Sequence, residues 1–238
     1  MTGRVFGIGD IHGCASELET LLSRLGLGPG DTVCFVGDYI DRGPDSRRVI
    51  DILLAARRRT EVRWVFLRGN HEDMCLAYLG RGGRFGEVWL ANGGAAVLRS
   101  YGLESRATPK ALAAAMPAEH LAFLEGLEWT FVVDGWRFVH AGVHPDRPWG
   151  DQTPEDLLWI REEFLTRPHC LSETVVFGHT PSRDVLVDLP YRLGIDTGLV
   201  YGGHLTALEL PALRLHQIAR GSTDVKTRPV PTPPARKA

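Results

Sequence analysis

The chain has only four cysteines in 238 residues, and no two of them form a CxxC pair. That is too few and too irregular for a secreted disulfide framework, and it reads as reduced thiols in a cytoplasmic protein. Long hydrophobic runs are also missing. A stretch such as Ala111–Met116 is far below the roughly 20 residues of a spanning helix, which excludes a helical membrane protein. Met1–Asp10 holds no signal-type apolar stretch and already reads as a strand. Neither sign of charge is in excess. With 27 Lys and Arg against 29 Asp and Glu, a net charge of −2, there is no broad basic footprint for nucleic acid. What is present is an ordinary 44 % of hydrophobic residues and nine scattered histidines.

From residue 4 to 79 the pattern alternates strand and helix. Arg4–Gly9, Thr32–Val36 and Val62–Leu67 are short apolar runs of β type. Between them, Ala15–Leu27 and Ser46–Arg59 carry apolar residues at helical spacing, and His71–Leu79 opens a further helix. Ser16 and Glu19 have the spacing of a capping box for the first helix. This βαβαβ order predicts a parallel sheet with right-handed crossovers. Residues 80–126 are rich in Gly and Ala, with helical patches at Glu87–Tyr101 and Lys110–Leu124, and read as a helical insertion or cap. Thr130–Val133 and Trp136–His140 flank Asp134-Gly135, a hairpin signal. Pro154–Thr166 reads as one helix, and short strands follow at Thr174–Phe177, Val185–Asp188, Arg192–Ile195, Leu205–Leu210 and Arg214–Ile218. The whole predicts a mixed-sheet α/β sandwich with helices outside. The expected organisation is a single domain over 1–220 and a disordered Pro-rich tail over 221–238, with four prolines in the last ten residues.

Three segments stand at predicted strand ends: Gly9-Asp10-Ile11-His12-Gly13, Gly37-Asp38-Tyr39-Ile40-Asp41-Arg42-Gly43 and Gly69-Asn70-His71-Glu72. In an α/β sheet the carboxyl ends of strands share one edge, where ligands bind. A lone Gly-Asp there is usually a turn, and a lone histidine is usually packed. Three consecutive clusters of Asp, His and Asn are hard to assign to turns. Asp10, His12, Asp38 and Asn70 offer the oxygen and nitrogen donors that suit Mn, Fe or Zn. His140 in Val139-His140-Ala141-Gly142 and His179 in Gly178-His179-Thr180 each follow an apolar strand and supply two further imidazoles for a second metal.

In this order, GDIHG, GDYIDRG, GNHE, HAG and FGHT resemble the phosphoprotein phosphatase family of metal-dependent serine/threonine phosphatases. The likeness runs from about residue 4 to about residue 210, with the short spacings of the bacterial and phage members. It implies the calcineurin-like four-layer α/β/β/α sandwich with a helical insertion. By resemblance, Asp10, His12 and Asp38 hold a first metal. Asp38 bridges to a second held by Asn70, His140 and His179. The implied cofactors are two divalent ions, Mn2+ first, with Fe or Zn as alternatives. A hydroxide bridging the two would attack phosphorus directly. His71 matches the general acid and Asp41 the residue that orients it. Arg42 and Arg161 match the phosphate-binding arginines, and Tyr201 an active-site tyrosine.

The implied function is hydrolysis of phosphoserine and phosphothreonine, with phosphotyrosine as a further substrate, in proteins or phosphorylated small molecules. No nucleic-acid or membrane partner is expected, and a monomer is compatible with the sequence. The alternative is a diadenosine tetraphosphate hydrolase of the same superfamily. There the position of Asp41 is typically not aspartate, so Asp41 favours the phosphatase. A non-catalytic phosphoprotein-binding module would not need all six ligands and the acid. His120, His144, His169, His204 and His216 match no metal position. Cys14 lies one residue beyond the first motif, where oxidation would perturb the site, yet its type and setting read as a small buried hydrophobe.

Overall fold

Three strands open the chain in the computed structural model, which describes residues 3–231. They are β1 (Val5–Ile8), β2 (Thr32–Phe35) and β3 (Arg63–Phe66), joined by helices α1 (Ala15–Arg24) and α2 (Ser46–Arg57). β1 pairs β2 in parallel with Val5 opposite Thr32, and β2 pairs β3 with Thr32 opposite Arg63. Strands paired in parallel need a crossover, and the two helices supply it. Strand alternation then sorts the side chains. Val5, Cys34, Val36, Val65 and Leu67 go to one face, while Phe6, Ile8, Val33, Phe35 and Phe66 go to the other.

The segment after β3 is helical. It comprises α3 (Asn70–Tyr78), a 3-10 turn at Gly86–Val88, a π-helical turn at Leu90–Gly94, then α4 (Ala95–Ser100), α5 (Pro109–Ala115) and α6 (Ala118–Glu125). The chain continues through β4 (Phe131–Val133), β5 (Trp136–Phe138), α7 (Pro154–Trp159) and α8 (Glu162–Thr166). It ends in β6 (Thr174–Phe177), β7 (Leu186–Asp188), β8 (Arg192–Gly194), β9 (His204–Leu210), β10 (Arg214–Ala219) and β11 (Val225–Pro229).

Two mixed sheets result. One has the order β11-β10-β9-β1-β2-β3, the other β4-β5-β6-β8-β7. Phe131, Phe138, Val176, Leu193 and Ile195 of the second sheet pack with Val5, Val36, Val65 and Leu208 of the first. This is the inner core. Leu18, Leu21, Val49, Ile50 and Leu53 of α1 and α2 cover the outer face of the first sheet, and Leu157 and Phe164 cover Val175 and Phe177 of the second. The layers are therefore helix, sheet, sheet, helix, in agreement with the implied α/β/β/α sandwich. Among the described residues, no helix is long and apolar enough to cross a membrane.

Four local expectations need correction. The Ser16/Glu19 capping box does not form. Cys14 is the N-cap instead, two residues before Ser16, with its N–H turned onto the Ile11 carbonyl at 3.1 Å, and α1 starts at Ala15 as expected. The expected helix over 110–124 breaks at Met116-Pro117, since a residue before proline is pushed out of helical backbone and Met116 has ψ 125°. The expected helix over 154–166 breaks at Ile160 and Arg161, with Arg161 at φ −134° and ψ −94°. Finally, the expected tail contains β11. It pairs antiparallel with β10, Val225 opposite Ile218 and Pro229 opposite Arg214. Its proline stands at the strand's end on a sheet edge, where a missing N–H costs no ladder bond. Residues 232–238 of that tail lie outside the described residues. The hairpin forms as expected: Asp134 and Gly135 have φ 47° and 80°, the left-handed pair that a tight turn needs.

Candidate metal centre

Asp10, Asp38 and Asn70 follow the carboxyl ends of β1, β2 and β3, and His140 and His179 follow β5 and β6. Strand order makes these neighbours along one edge of the two sheets. All six residues expected to hold metal come together there, and all are buried. His12, Asp38, Asp41, Arg42 and His179 hold left-handed backbone, with φ between 46° and 73°. Such strain, on the order of 1–3 kcal/mol per residue, persists only where the surroundings over-determine it.

Glu72 does much of that work around Asp38. Its Oε2 accepts the N–H groups of Asp38 at 2.9 Å and Gly69 at 3.0 Å. Its Oε1 accepts those of Tyr39 at 2.8 Å and Ile40 at 3.2 Å. One buried carboxylate thus ties the loop after β2 to the start of α3. Close approach matters on the second sheet as well. A Cβ on Gly178 would stand 2.1 Å from Asp10 Oδ1, so only glycine lets that chain pass the carboxylate. The His179 N–H then donates to Asp10 at 3.2 and 3.1 Å.

The imidazoles are oriented by backbone carbonyls. His12 Nδ1 donates to the Ile40 carbonyl at 2.9 Å, and His140 Nδ1 donates to that of Val36 at 2.9 Å. Each ring therefore presents the lone pair of Nε2 inward. His12 Nε2 lies 3.5 Å from Asp38 Oδ2, and His140 Nε2 lies 3.5 Å from Asp38 Oδ1. His140 Nε2 and His179 Nδ1 both converge on Asn70 Oδ1, at 2.9 and 3.1 Å. His179 Nε2 is buried without a partner among the described residues.

Burial pushes His12 down to about 3 and also lowers His140. It lowers His179 further, helped by the facing His140. These rings are therefore neutral, as metal ligation requires. Asp10 is raised by burial and by the charges of Asp196 and Asp38. Facing lone pairs and mutually repelling buried carboxylates are relieved together by divalent cations, so the donor set fits two such ions. His12, Asp38 and His71 form one group able to hold a cation, and Asp38, His140 and His179 form another. Asp38 belongs to both groups. His71 joins the first group although it was expected only as the acid.

His71 and Asp41 are paired. His71 Nδ1 stands 2.5 Å from Asp41 Oδ2, and both side chains are buried. Burial opposes a charge on His71, but Asp38 and Asp41 outweigh it and raise the ring above its ordinary value. Its Nε2 lies 4.0 Å from Asp38 Oδ2, inside the cluster. Arg42 Nη1 donates to His12 Nε2 at 2.6 Å, and its guanidinium lies 5.6 Å over the ring of Tyr201, which is 64 % exposed. Arg161 is exposed at the break between α7 and α8, with Nη1 3.4 Å from Thr180 Oγ1. A cleft of about 620 Å³ beside it is lined by His144, Arg147, Trp159 and Glu163.

Sequence reasoning assigned no role to three buried residues of this centre. Glu72 stands inside the third motif, and its carboxylate reaches the loop after β2. Asp196 follows β8 with the same strand-end signal as Asp10. Its Oδ1 accepts the Gly198 N–H at 3.0 Å, and burial pushes it up to about 6 despite that bond. Trp89 reaches Asp41 from the helical region, and nothing local in the sequence marks it. Cys14 is fully buried with its thiol pushed up to about 12 by burial, which makes it unreactive core.

Comparison with known proteins follows the same line. The model of the calcineurin-like phosphoesterase family matches residues 3–207. Serine/threonine-protein phosphatase 1 of Salmonella typhimurium is 33 % identical over 218 residues, 85 % of this chain and 89 % of that protein. The asymmetrical bis(5'-nucleosyl)-tetraphosphatase PrpE of Geobacillus thermodenitrificans is also 33 % identical, over 237 residues, 87 % of this chain and 90 % of that protein. A solved structure provisionally described as a diadenosine tetraphosphatase superposes with TM-score 0.69 at 28 % identity, covering 92 % of this chain and 95 % of that one. A cold-active protein-tyrosine phosphatase of a psychrophilic Shewanella shares the fold at TM-score 0.60 and 17 % identity, over 95 % of this chain and 80 % of that one. The metal-suited edge and the family match across both sheets lead to one assignment: the chain belongs to the calcineurin-like phosphoesterase family and is a metallophosphoesterase.

Proposed function

We propose that the protein is a phosphomonoesterase with two divalent metals, Mn2+ first among them, acting on phosphoserine and phosphothreonine in the cytoplasm. The observation that carries this is the buried His71–Asp41 pair at 2.5 Å. Hydrolysis of a serine or threonine ester expels an alkoxide, which needs a proton. A phosphoanhydride expels a phosphate, which does not. An imidazole whose hold on its proton is strengthened by two neighbouring carboxylates suits the acid role in the first case. Asp10, His12 and Asp38 would hold one ion, and Asp38, Asn70, His140 and His179 the other. Bound there, the ions would supply Lewis acidity to the phosphoryl oxygens and activate water for attack. Arg42 and Arg161 are the candidates to orient the phosphoryl oxygens, through their planar donor forks. Tyr201 beneath Arg42 limits where that fork can swing.

A second reading is cleavage of dinucleoside polyphosphates. Its support is the PrpE relative, as similar to this chain as the protein phosphatase is. Turnover of phosphoserine peptides and of diadenosine tetraphosphate, measured side by side with Mn, Fe, Zn and Mg, separates the two. Faster release from the peptides is expected; much faster cleavage of the dinucleotide overturns the first reading. His71→Asn should slow alkyl phosphates far more than p-nitrophenyl phosphate, whose leaving group departs unprotonated. Equal losses on both would remove His71 from the acid role.

A further inference from the structure

Trp89 precedes the π-helical turn Leu90–Gly94, an element that often marks functional sites. Its ring is fully buried and packs on Tyr78 with 4.8 Å between centroids. The indole Nε1–H donates to both oxygens of Asp41, at 3.0 and 2.9 Å. Among the described residues, the side-chain donors to that carboxylate are this indole and His71. Four residues further on, the Gly93 carbonyl accepts the Arg42 N–H at 3.2 Å. Gly93 has φ 116°, and a Cβ there would stand 2.9 Å from the Arg42 nitrogen and 2.7 Å from its Cγ. The two backbones therefore meet at a point where no side chain fits. Asp41 and Arg42 are adjacent residues with φ 73° and 63°, a conformation that two non-glycine residues do not hold unaided.

We propose that Trp89 and Gly93 form a clamp that positions Asp41 and Arg42, with Trp89 fixing the carboxylate that orients His71. Both are positioning residues for the reaction. Without the indole N–H, the buried Asp41 loses the donor that spans its two oxygens, and its plane is no longer set toward His71. The helical region after α3 thus completes the centre as well as covering the sheet. The Trp89 half rests on the acid role of His71 proposed above.

The test measures kcat for a phosphoserine peptide and for p-nitrophenyl phosphate in the metal-loaded full chain, comparing wild type with Trp89→Phe, His71→Asn and Gly93→Ala. Trp89→Phe should slow the peptide about tenfold or more, the size of a lost hydrogen bond to a charged group. It should slow p-nitrophenyl phosphate less than about threefold. Gly93→Ala should raise KM and the inhibition constant of inorganic phosphate while keeping the ratio of the two kcat values. Equal losses on both substrates in Trp89→Phe, beside a selective loss in His71→Asn, overturn the clamp alone. Equal losses in His71→Asn overturn the acid reading instead. A second measurement needs no variant. In the wild-type NMR spectrum the Trp89 indole proton, assigned through its contact with Tyr78, should lie downfield and resist exchange. A signal in the ordinary range with fast exchange overturns the clamp even if Trp89→Phe does not fold.

Discussion

Glu72 and Gly178 act on the centre without standing among its expected ligands. Glu72 gathers four backbone N–H groups from two loops, and so fixes where Asp38 presents its oxygens. Gly178 acts by absence, since any side chain there would enter the space of Asp10. Gly178→Ala should therefore displace the Asp10 carboxylate and weaken metal binding by about 10–100-fold, the usual effect of disturbing a ligand's support. Metal titration of the purified protein checks this. Wild-type affinity in the variant would show that the Asp10 carboxylate tolerates the displacement. The candidate metal donors were legible in the sequence because each sits in a Gly-flanked cluster at a strand end. Glu72 was visible there, but three of its four partners were not, because Asp38, Tyr39 and Ile40 lie 32–34 residues away.

At the scale of elements, breaks and anchors decide more than lengths do. The break between α7 and α8 leaves Arg161 outside both helices, with Nη1 3.4 Å from Thr180 Oγ1, next in sequence to His179. Pro154 and Thr153 mark the start of α7 in the sequence, but no proline or glycine marks this break. The loop after β10 is fastened to α1 through Glu17. Its Oε1 accepts the Arg220 Nη1–H at 2.5 Å and the Gly221 N–H at 2.8 Å. Burial alone would raise the Glu17 carboxyl, but these donors outweigh it and hold the pKa below the ordinary value. A depressed folded pKa means stability that is present above the unfolded value, about 4.3. It is lost as pH falls through the folded one. Glu17→Gln should thus lower the Tm at neutral pH, and the gap from wild type should close below about pH 4. A gap independent of pH would show that Glu17 acts through packing alone.

At the scale of the whole molecule, two sheets converge on one edge, and the centre takes donors from both. Asp10, His12, Asp38 and Asn70 come from the first half of the chain, His140 and His179 from the second. Cations shared across the halves should hold them together. At a hundredfold excess over Kd one ion contributes about 2.7 kcal/mol, which for a chain of this size raises Tm by roughly 5–10 °C. Calorimetry with and without a chelator checks this, and equal melting temperatures would argue against ligands shared between the sheets.

By itself the sequence determined the alternation of strands and helices, the clusters at strand ends and the family those clusters resemble. All of these depend on neighbours a few residues apart, where spacing and turn chemistry are readable. It did not reveal β11, because Val225–Pro229 has no apolar alternation and becomes a strand only by pairing with β10. Nor did it reveal Trp89 on Asp41, 48 residues apart, or Asp196 beside Asp10. Only the tertiary structure decided these. A buried polar group takes its partner from whatever the packing brings within 3 Å, and packing joins segments whose separation no local pattern records.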